Sequence, residues 1–426
     1  GVPPLSGWPD DLIEAIDPQI HMVGGGSYYT GKEYAPLDED ALRTAAGQAQ
    51  AEGITAVAIS ANFAPMRPDI EERAAAIVRS VMPDARITLS SQVGGLGLIE
   101  RENATVINAS LGALSVKVIR SLVEAFAELD ITAPIYISQN DGTLISTHAA
   151  ERFPILTCSA GPTNSIRGAA FLTGLDEAIV ADIGGTTTDI GFLLQGFPRE
   201  TTQANYIGGV RTNFRMPDVL SIGLGGGSIV RTQGGIVTVG PQSVGYRLAQ
   251  DGLVFGGQTL TTSDIAVRAG QANFGDPSLV AHLPEPLVQS ALDAIHAMIE
   301  VAVDQVKTSP KPMPMVLVGG GSVLVSRPLK GASEVLRPQH AEVANAVGAA
   351  IALVSGRVDK LYDVGTLGRD EALSQARAEA TRVAIDAGAH AERVEVLDIV
   401  ELPMTHMRSG CVQIRVRVAG PLAALA

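Results

Sequence analysis

Asp182 and Asp189 enclose the run Ile183-Gly184-Gly185-Thr186-Thr187-Thr188, and no other stretch of the chain gathers so much chemistry into so few residues. Glycines allow a tight turn with positive φ and leave no Cβ in the way, so successive backbone N–H groups can converge on an anion. Two carboxylates beside that anion would repel it unless a divalent cation sat between them, and hard oxygen ligands next to phosphate suit Mg²⁺. Asp182 and Asp189 therefore read as metal-side, catalytic groups and the glycine-threonine tip as a phosphate cradle. A plain hairpin with a Gly-Gly turn is the competing reading, and it leaves the two acids around three threonines without a purpose.

Positioning such a tip requires two strands, and the apolar runs Ala178-Ile179-Val180-Ala181 and 190–194 supply them. Upstream, helical and strand-like patterns alternate: helix over 10–16 and 38–52, strand 56–60, helix 68–81, strand 87–90, a long helical region 103–129 loosened near Gly112, and strand 135–137. That alternation predicts βαβ units and a largely parallel sheet. Strand 135–137 ends in Ser138-Gln139-Asn140-Asp141-Gly142-Thr143, which reads equally as a ligand loop at a strand's C-terminal edge and as a bare turn.

Three further glycine features flank the hairpin. Gly24-Gly25-Gly26 has no acid before it and reads as a strand turn. Ser221 to Ser228, SIGLGGGS, places Gly225, Gly226 and Gly227 after the hairpin, in a spacing that does not match the dinucleotide pattern. The apolar run Met315-Val316-Leu317-Val318 leads into Gly319-Gly320-Gly321-Ser322, a strand-to-loop signal fit for an adenosine face or for an ordinary strand-to-helix turn. Two small-residue helices, 163–173 with Gly168 and 341–354 with Gly348, stand beside these loops and look like a pair crossing closely at a hinge. Thr262-Ser263-Asp264 is read as the cap of a helix from Ile265, 287–306 as an amphipathic helix, and the tail as a helix over 371–387 followed by strands 393–400 and 411–418.

Composition bounds the rest. A length of 426 residues suggests two or three lobes, and 46% hydrophobic residues with only 4% aromatic describe an Ala/Val/Ile/Gly-rich α/β enzyme. A net charge of −14 with no basic stripe argues against a nucleic-acid partner. Cys158 and Cys411 form no metal spacing or disulfide framework, which makes the cytoplasm the expected compartment. No signal peptide is read at the start, and no apolar run is read as reaching the roughly 18 to 20 residues of a membrane span.

The hairpin D-x-G-G-T-x-x-D, the Gly/Ala helix before it, the later G-G-G-S strand loop and the second Gly/Ala helix occur in an order that resembles the actin-like ATPase superfamily of sugar kinases, heat-shock chaperones and actin. More closely, SAGPTNSIRGAAFLTG, ADIGGTTTDIG, SIGLGGGS with VGPQSVG, and TTSDIAV resemble the hydantoinase A/oxoprolinase family, from about residue 35 to near the C-terminus. The resemblance implies an α/β, ribonuclease H-like two-lobed fold: 1–162 as the remainder of the first lobe, 163–354 as the second lobe, and 355–426 as a C-terminal helix with strands. It implies ATP and Mg²⁺ as cofactors, with Gly184, Gly185, Thr186 and Thr187 on phosphate and Asp182 and Asp189 orienting Mg²⁺ and its waters. Gly319, Gly320 and Gly321 would face the adenosine, and Gly225, Gly226 and Gly227 would line the same cleft.

The implied activity is ATP-dependent opening of a cyclic amide such as a hydantoin, 5-oxoproline or a lactam, beside a hydantoinase B-like partner subunit, with self-association left open. Phosphorylating the carbonyl oxygen of a poor electrophile creates a leaving group, which explains the use of ATP for a hydrolysis. The alternatives are an activating subunit of an acetone-carboxylase-like enzyme and a non-enzymatic actin-like nucleotide switch. One departure stands out: family members open with a first phosphate loop D-x-G-G-T-x-T-D, and no such stretch precedes residue 180. The first lobe is therefore expected to be incomplete, with an exposed sheet edge, and this chain alone is expected to bind ATP weakly without substrate-dependent turnover.

Overall fold

The computed structural model describes residues 2–95, 97–201, 205–213, 216–404 and 410–423. Its largest sheet runs in the order Val219–Ile222, Thr188–Leu194, Ala178–Ile183, Met313–Val318, Ala332–Leu336, with Phe197–Pro198 paired to Thr188–Leu194. Ala178–Ile183 and Thr188–Leu194 form the antiparallel hairpin, and Met313–Val318 lies parallel to the first of them, Val318 opposite Asp182. Continuous apolar runs suit this position because both faces of the sheet are covered. Ile179, Ala181, Ile190, Met315 and Leu317 pack with Ala291, Ile295, Ile299 and Val303 of the helix Glu285–Val306. Val180, Leu193, Val316 and Val318 pack on the other face with Ile166, Ala169 and Ala344.

The two small-residue helices do cross closely. They span Ala160–Thr173 and Ala344–Ala350, the second preceded by a 3-10 turn and shorter than the 341–354 read from sequence. A Cβ on Gly168 would lie 1.9 Å from the Ala344 carbonyl oxygen, and one on Gly348 would lie 1.8 Å from that of Asn164. The contact is reciprocal, so each helix sets one bare glycine against one backbone carbonyl of the other.

A second sheet runs Glu395–Pro403, Cys411–Gly420, Val354–Asp363, Leu144–Ser146, Tyr136–Ser138. The strands of the tail from 355 continue the sheet begun by 136–146. Ala372, Ala376, Ala380 and Ala384 form a four-residue-spaced stripe on the helix Arg369–Asp386 and sit on Val354, Val358, Ile414 and Val418. The strand Val354–Asp363 was missed in sequence; Gly356 lies in it because a Cβ there would fall 2.0 Å from the Ala380 carbonyl oxygen. A third, two-stranded parallel sheet pairs Ala56–Ile59 with Arg86–Leu89 and packs with the helices Glu39–Ala51, Pro68–Val81 and Leu98–Glu128.

Two sequence readings change here. The helix Leu98–Glu128 is continuous through Gly112. Leu98–Glu128 and Glu285–Val306 are both long and apolar enough, by length and composition, to cross a membrane, contrary to the reading that no run reaches that length. Glu285–Val306 spends its apolar face on the large sheet, and the first half of Leu98–Glu128 buries Arg101, Asn103 and Asn108 within the protein.

Candidate functional site

Cross-strand register sets Asp182 directly opposite Asp189, and side chains so placed have Cβ atoms about 4.5–5.5 Å apart on one face. Gly184 N–H closes the tip on the Thr187 carbonyl at 2.9 Å. Gly185, Thr186 and Thr187 are exposed, and a Cβ on Gly185 would meet nothing within 4 Å. Sequence and structure therefore agree on an open, glycine-bearing tip with two acids at its root.

Each acid is held by a hydroxyl that sequence reasoning passed over. Ser165, buried on the first crossing helix, donates to Asp182 Oδ2 at 2.5 Å, and Ser221, paired in register with Asp189, donates to Asp189 Oδ1. Both serines lie inside quoted motifs, SAGPTNSIRGAA and SIGLGGGS, but only the tertiary pairing shows their targets. Burial pushes the Asp189 carboxyl above its ordinary value, the Ser221 hydroxyl opposes that shift, and the charge of Asp182 adds to it.

The glycine clusters divide into two roles. Gly225, Gly226 and Gly227 are buried beneath the tip, with Gly226 N–H on the Gly184 carbonyl at 2.9 Å and Gly227 N–H on the Gly185 carbonyl at 2.7 Å. A Cβ on Gly225 would stand 2.5 Å from the Thr186 nitrogen. These residues are the floor that shapes the tip, and the amides of Gly226 and Gly227 are spent on it. The floor is fixed in turn by Thr262 Oγ1 on the Gly225 carbonyl and Ser263 N–H on the Gly226 carbonyl. Those two residues begin the helix Thr262–Arg268, whose cap is Thr261 with Asp264 at N3, one turn position earlier than the sequence reading.

Gly319, Gly320 and Gly321 emerge from Met313–Val318 alongside the root of the hairpin. Gly319 has φ +82°, and a Cβ there would lie 2.3 Å from Asp182 Oδ1; on Gly321 one would lie 2.9 Å from the Gly184 carbonyl oxygen. Gly320 is exposed and its Cβ position is open. The structure therefore brings 182–189 and 319–321 to one place, with Gly185 and Gly320 as its two uncovered glycines.

The loop 139–143 does not join this cluster. Asp141 Oδ1 accepts from Thr143 N–H at 3.0 Å and Thr143 Oγ1 at 2.5 Å, an Asx turn, and Gln139 Nε2 donates to Ser355 Oγ at 2.8 Å. Gln139, Asn140 and Asp141 line a cavity of about 1230 Å³ together with Ser355, Arg357 and Arg415, and neither Asp182 nor Asp189 borders it.

The donor set fits Mg²⁺ with a polyphosphate. Mg²⁺ bound with phosphate needs only one or two carboxylates, and Asp182 and Asp189 supply two on one face of the hairpin. The bare Cα of Gly319 against Asp182 Oδ1 and the uncovered Gly185 and Gly320 are where side chains would obstruct such a ligand.

Residues 101–306 match the hydantoinase/oxoprolinase family model, and residues 11–82 match the model of the hydantoinase/oxoprolinase N-terminal region. Caprolactamase subunit alpha of Pseudomonas jessenii is 28% identical over 300 residues, covering 67% of this chain and 43% of that protein. Acetone carboxylase beta subunit of Xanthobacter autotrophicus is 26% identical over 325 residues, covering 70% of this chain and 43% of that protein. The alignments thus span less than half the length of either relative. The crystal structure of ATP-dependent caprolactamase from Pseudomonas jessenii superposes with a TM-score of 0.73 at 20% identity, covering 96% of this chain and 73% of that one. The fold is accordingly of the actin-like ATPase type. With both family models in their expected order and the motif hairpin inside the larger one, the chain belongs to the hydantoinase/oxoprolinase family.

Proposed function

We propose that this chain is the ATP-binding part of an enzyme that activates the carbonyl of a cyclic amide for hydrolytic ring opening. The observation that carries the reading is the Asp182–Asp189 pair at the root of an open glycine tip, with the 319–321 loop beside it. Asp182 and Asp189 would hold Mg²⁺, the tip residues 184–187 would face the phosphates, and 319–321 the adenosine side. Bound Mg-ATP supplies the phosphoryl group that makes a carbonyl oxygen a leaving group.

The chain's own contribution is positioning and charge. Ser165 and Ser221 fix the two carboxylates, and the 225–227 floor fixes the tip, whose residues 185–187 are exposed. Water-activating and ring-opening groups are assigned to a separate hydantoinase B-like subunit, a reading supported by the names of the relatives, both subunits of larger enzymes. A cytoplasmic location belongs to the same proposal. A second reading, activation of a ketone for carboxylation, is favoured by the acetone and acetophenone carboxylase relatives.

The test is ATP turnover by the whole protein co-expressed with its partner subunit, titrated with hydantoin, 5-oxoproline, caprolactam and, with bicarbonate, acetone. Stimulation by a cyclic amide supports the first reading, stimulation only by acetone with bicarbonate moves it to the second, and turnover indifferent to every substrate refutes both.

A further inference from the structure

The Asp182 carboxylate is restrained on both oxygens, and one restraint is traceable to the far end of the chain. Oδ1 lies against the bare Cα of Gly319, and Oδ2 accepts the Ser165 hydroxyl at 2.5 Å. A hydroxyl has one proton and can rotate, so a donor aimed at its oxygen decides where that proton points. That donor is Asn345 on the second crossing helix: its Nδ2 reaches the Ser165 oxygen at 3.3 Å and the Gly161 carbonyl at 2.9 Å.

We infer that Asn345 is a positioning residue for Asp182, acting through Ser165, and that it ties the seating of the two crossing helices to the aim of the metal-side carboxylate. This rests on the reading of Asp182 as a Mg²⁺-orienting group. The reciprocal glycine contacts at 168 and 348 bring the two backbones together and leave no room for closer approach. A change in their crossing angle would instead withdraw the Asn345 amide from Ser165 and release the hydroxyl from Asp182. Asn345 is itself exposed, so its second hydrogen-bonding edge is open to solvent or ligand while the first is committed to this relay. The alternative role is a simple pin, holding Gly161 at the start of one helix to the other with no bearing on the carboxylate.

The discriminating variant is Asn345→Asp, which keeps shape and removes the donor. The new carboxylate would compete with Asp182 for the Ser165 proton and face the Gly161 carbonyl. ATP affinity is measured by competition with a fluorescent nucleotide, once with Mg²⁺ and once with EDTA, on wild type, Asn345→Asp, Asn345→Ala, Ser165→Ala and the Ser165→Ala/Asn345→Ala double variant, each first shown to be folded by circular dichroism. The expected result is about a tenfold loss of the Mg²⁺-dependent gain in affinity in each single variant, with EDTA values unchanged and the double variant no worse than Ser165→Ala. Wild-type Mg²⁺ dependence in Asn345→Asp overturns the inference and leaves the site reading standing, as does an equal loss with and without Mg²⁺. A wild type that binds ATP with no Mg²⁺ dependence overturns the site reading, and the inference with it.

Discussion

Replacing Gly319 by alanine tests how tightly the strand loop is built against the hairpin. Two costs add. Gly319 has φ +82°, a conformation that costs an L-residue about 1–2 kcal/mol. The new methyl would also stand 2.3 Å from Asp182 Oδ1 and 2.5 Å from the Ile183 carbonyl oxygen, and the second of these belongs to a buried strand that cannot rotate aside. Overpacking of that kind costs about 1–3 kcal/mol, so the expected loss is about 2–5 kcal/mol, a large share of a stability of about 5–15 kcal/mol. The internal control is one residue away. A Cβ on Gly320 would meet nothing within 4 Å, so Gly320→Ala should leave stability within about 1 kcal/mol of wild type while impeding ligand approach. Urea unfolding followed by circular dichroism reads both variants, with the midpoint as the comparison. Equal midpoints for the two alanine variants would refute the reasoning, because they would mean that the loop yields to a side chain at either position.

Four further outcomes rest on the same structure. Asp189→Asn should raise apo stability near neutral pH: a carboxyl whose folded pKa is lifted by burial favours the fold most below its unfolded value, ordinarily 3.8, and loses that contribution as pH rises through the lifted value, so the variant's melting temperature in EDTA should fall less across that window. Mg²⁺-dependent ATP affinity should drop in Asp189→Asn and Asp182→Asn alike, and an apo protein clearly destabilised by Asp189→Asn would count against the metal-side role. Gly168→Ala should destabilise by about 2–4 kcal/mol although alanine is the better helix former by about 1 kcal/mol, because its Cβ would sit 1.9 Å from the Ala344 carbonyl oxygen; thermal melting decides. Asp264→Ala removes acceptors for Val254 N–H, Thr261 N–H and Thr261 Oγ1, all within 2.8 Å, and should cost about 2–4 kcal/mol in urea unfolding.

Much of the site was legible because its parts are local in sequence. An apolar strand, an acid, a glycine turn and a second acid specify a hairpin by themselves, and the antiparallel register that sets Asp182 opposite Asp189 follows from the short turn. The crossing helices were legible because Gly168 and Gly348 are costly inside helices unless another backbone approaches. What stayed hidden depends on distant pairing. Ser165, Ser221 and Asn345 are ordinary polar residues until the fold brings them to Asp182, Asp189 and each other. Gly225, Gly226 and Gly227 looked like cleft-lining residues, and only the backbone bonds to the Gly184 and Gly185 carbonyls show that they lie underneath. The strand Val354–Asp363 was concealed by its own charges: Arg357, Asp359 and Lys360, which border the cavity, interrupt the apolar pattern, so the alternation did not read as a sheet.

The central claim is that Mg-ATP sits on the hairpin tip and the 319–321 loop. Amide chemical shifts followed by transverse-relaxation-optimised NMR during titration with ATP, with and without Mg²⁺, test it even where affinity is millimolar. The expected result is Mg²⁺-dependent perturbation concentrated at 184–187 and 319–321, lost in Asp182→Asn. Perturbation centred instead on Gln139, Asn140 and the cavity-lining strand Val354–Asp363, with the tip amides unmoved at saturating Mg-ATP, would contradict the account.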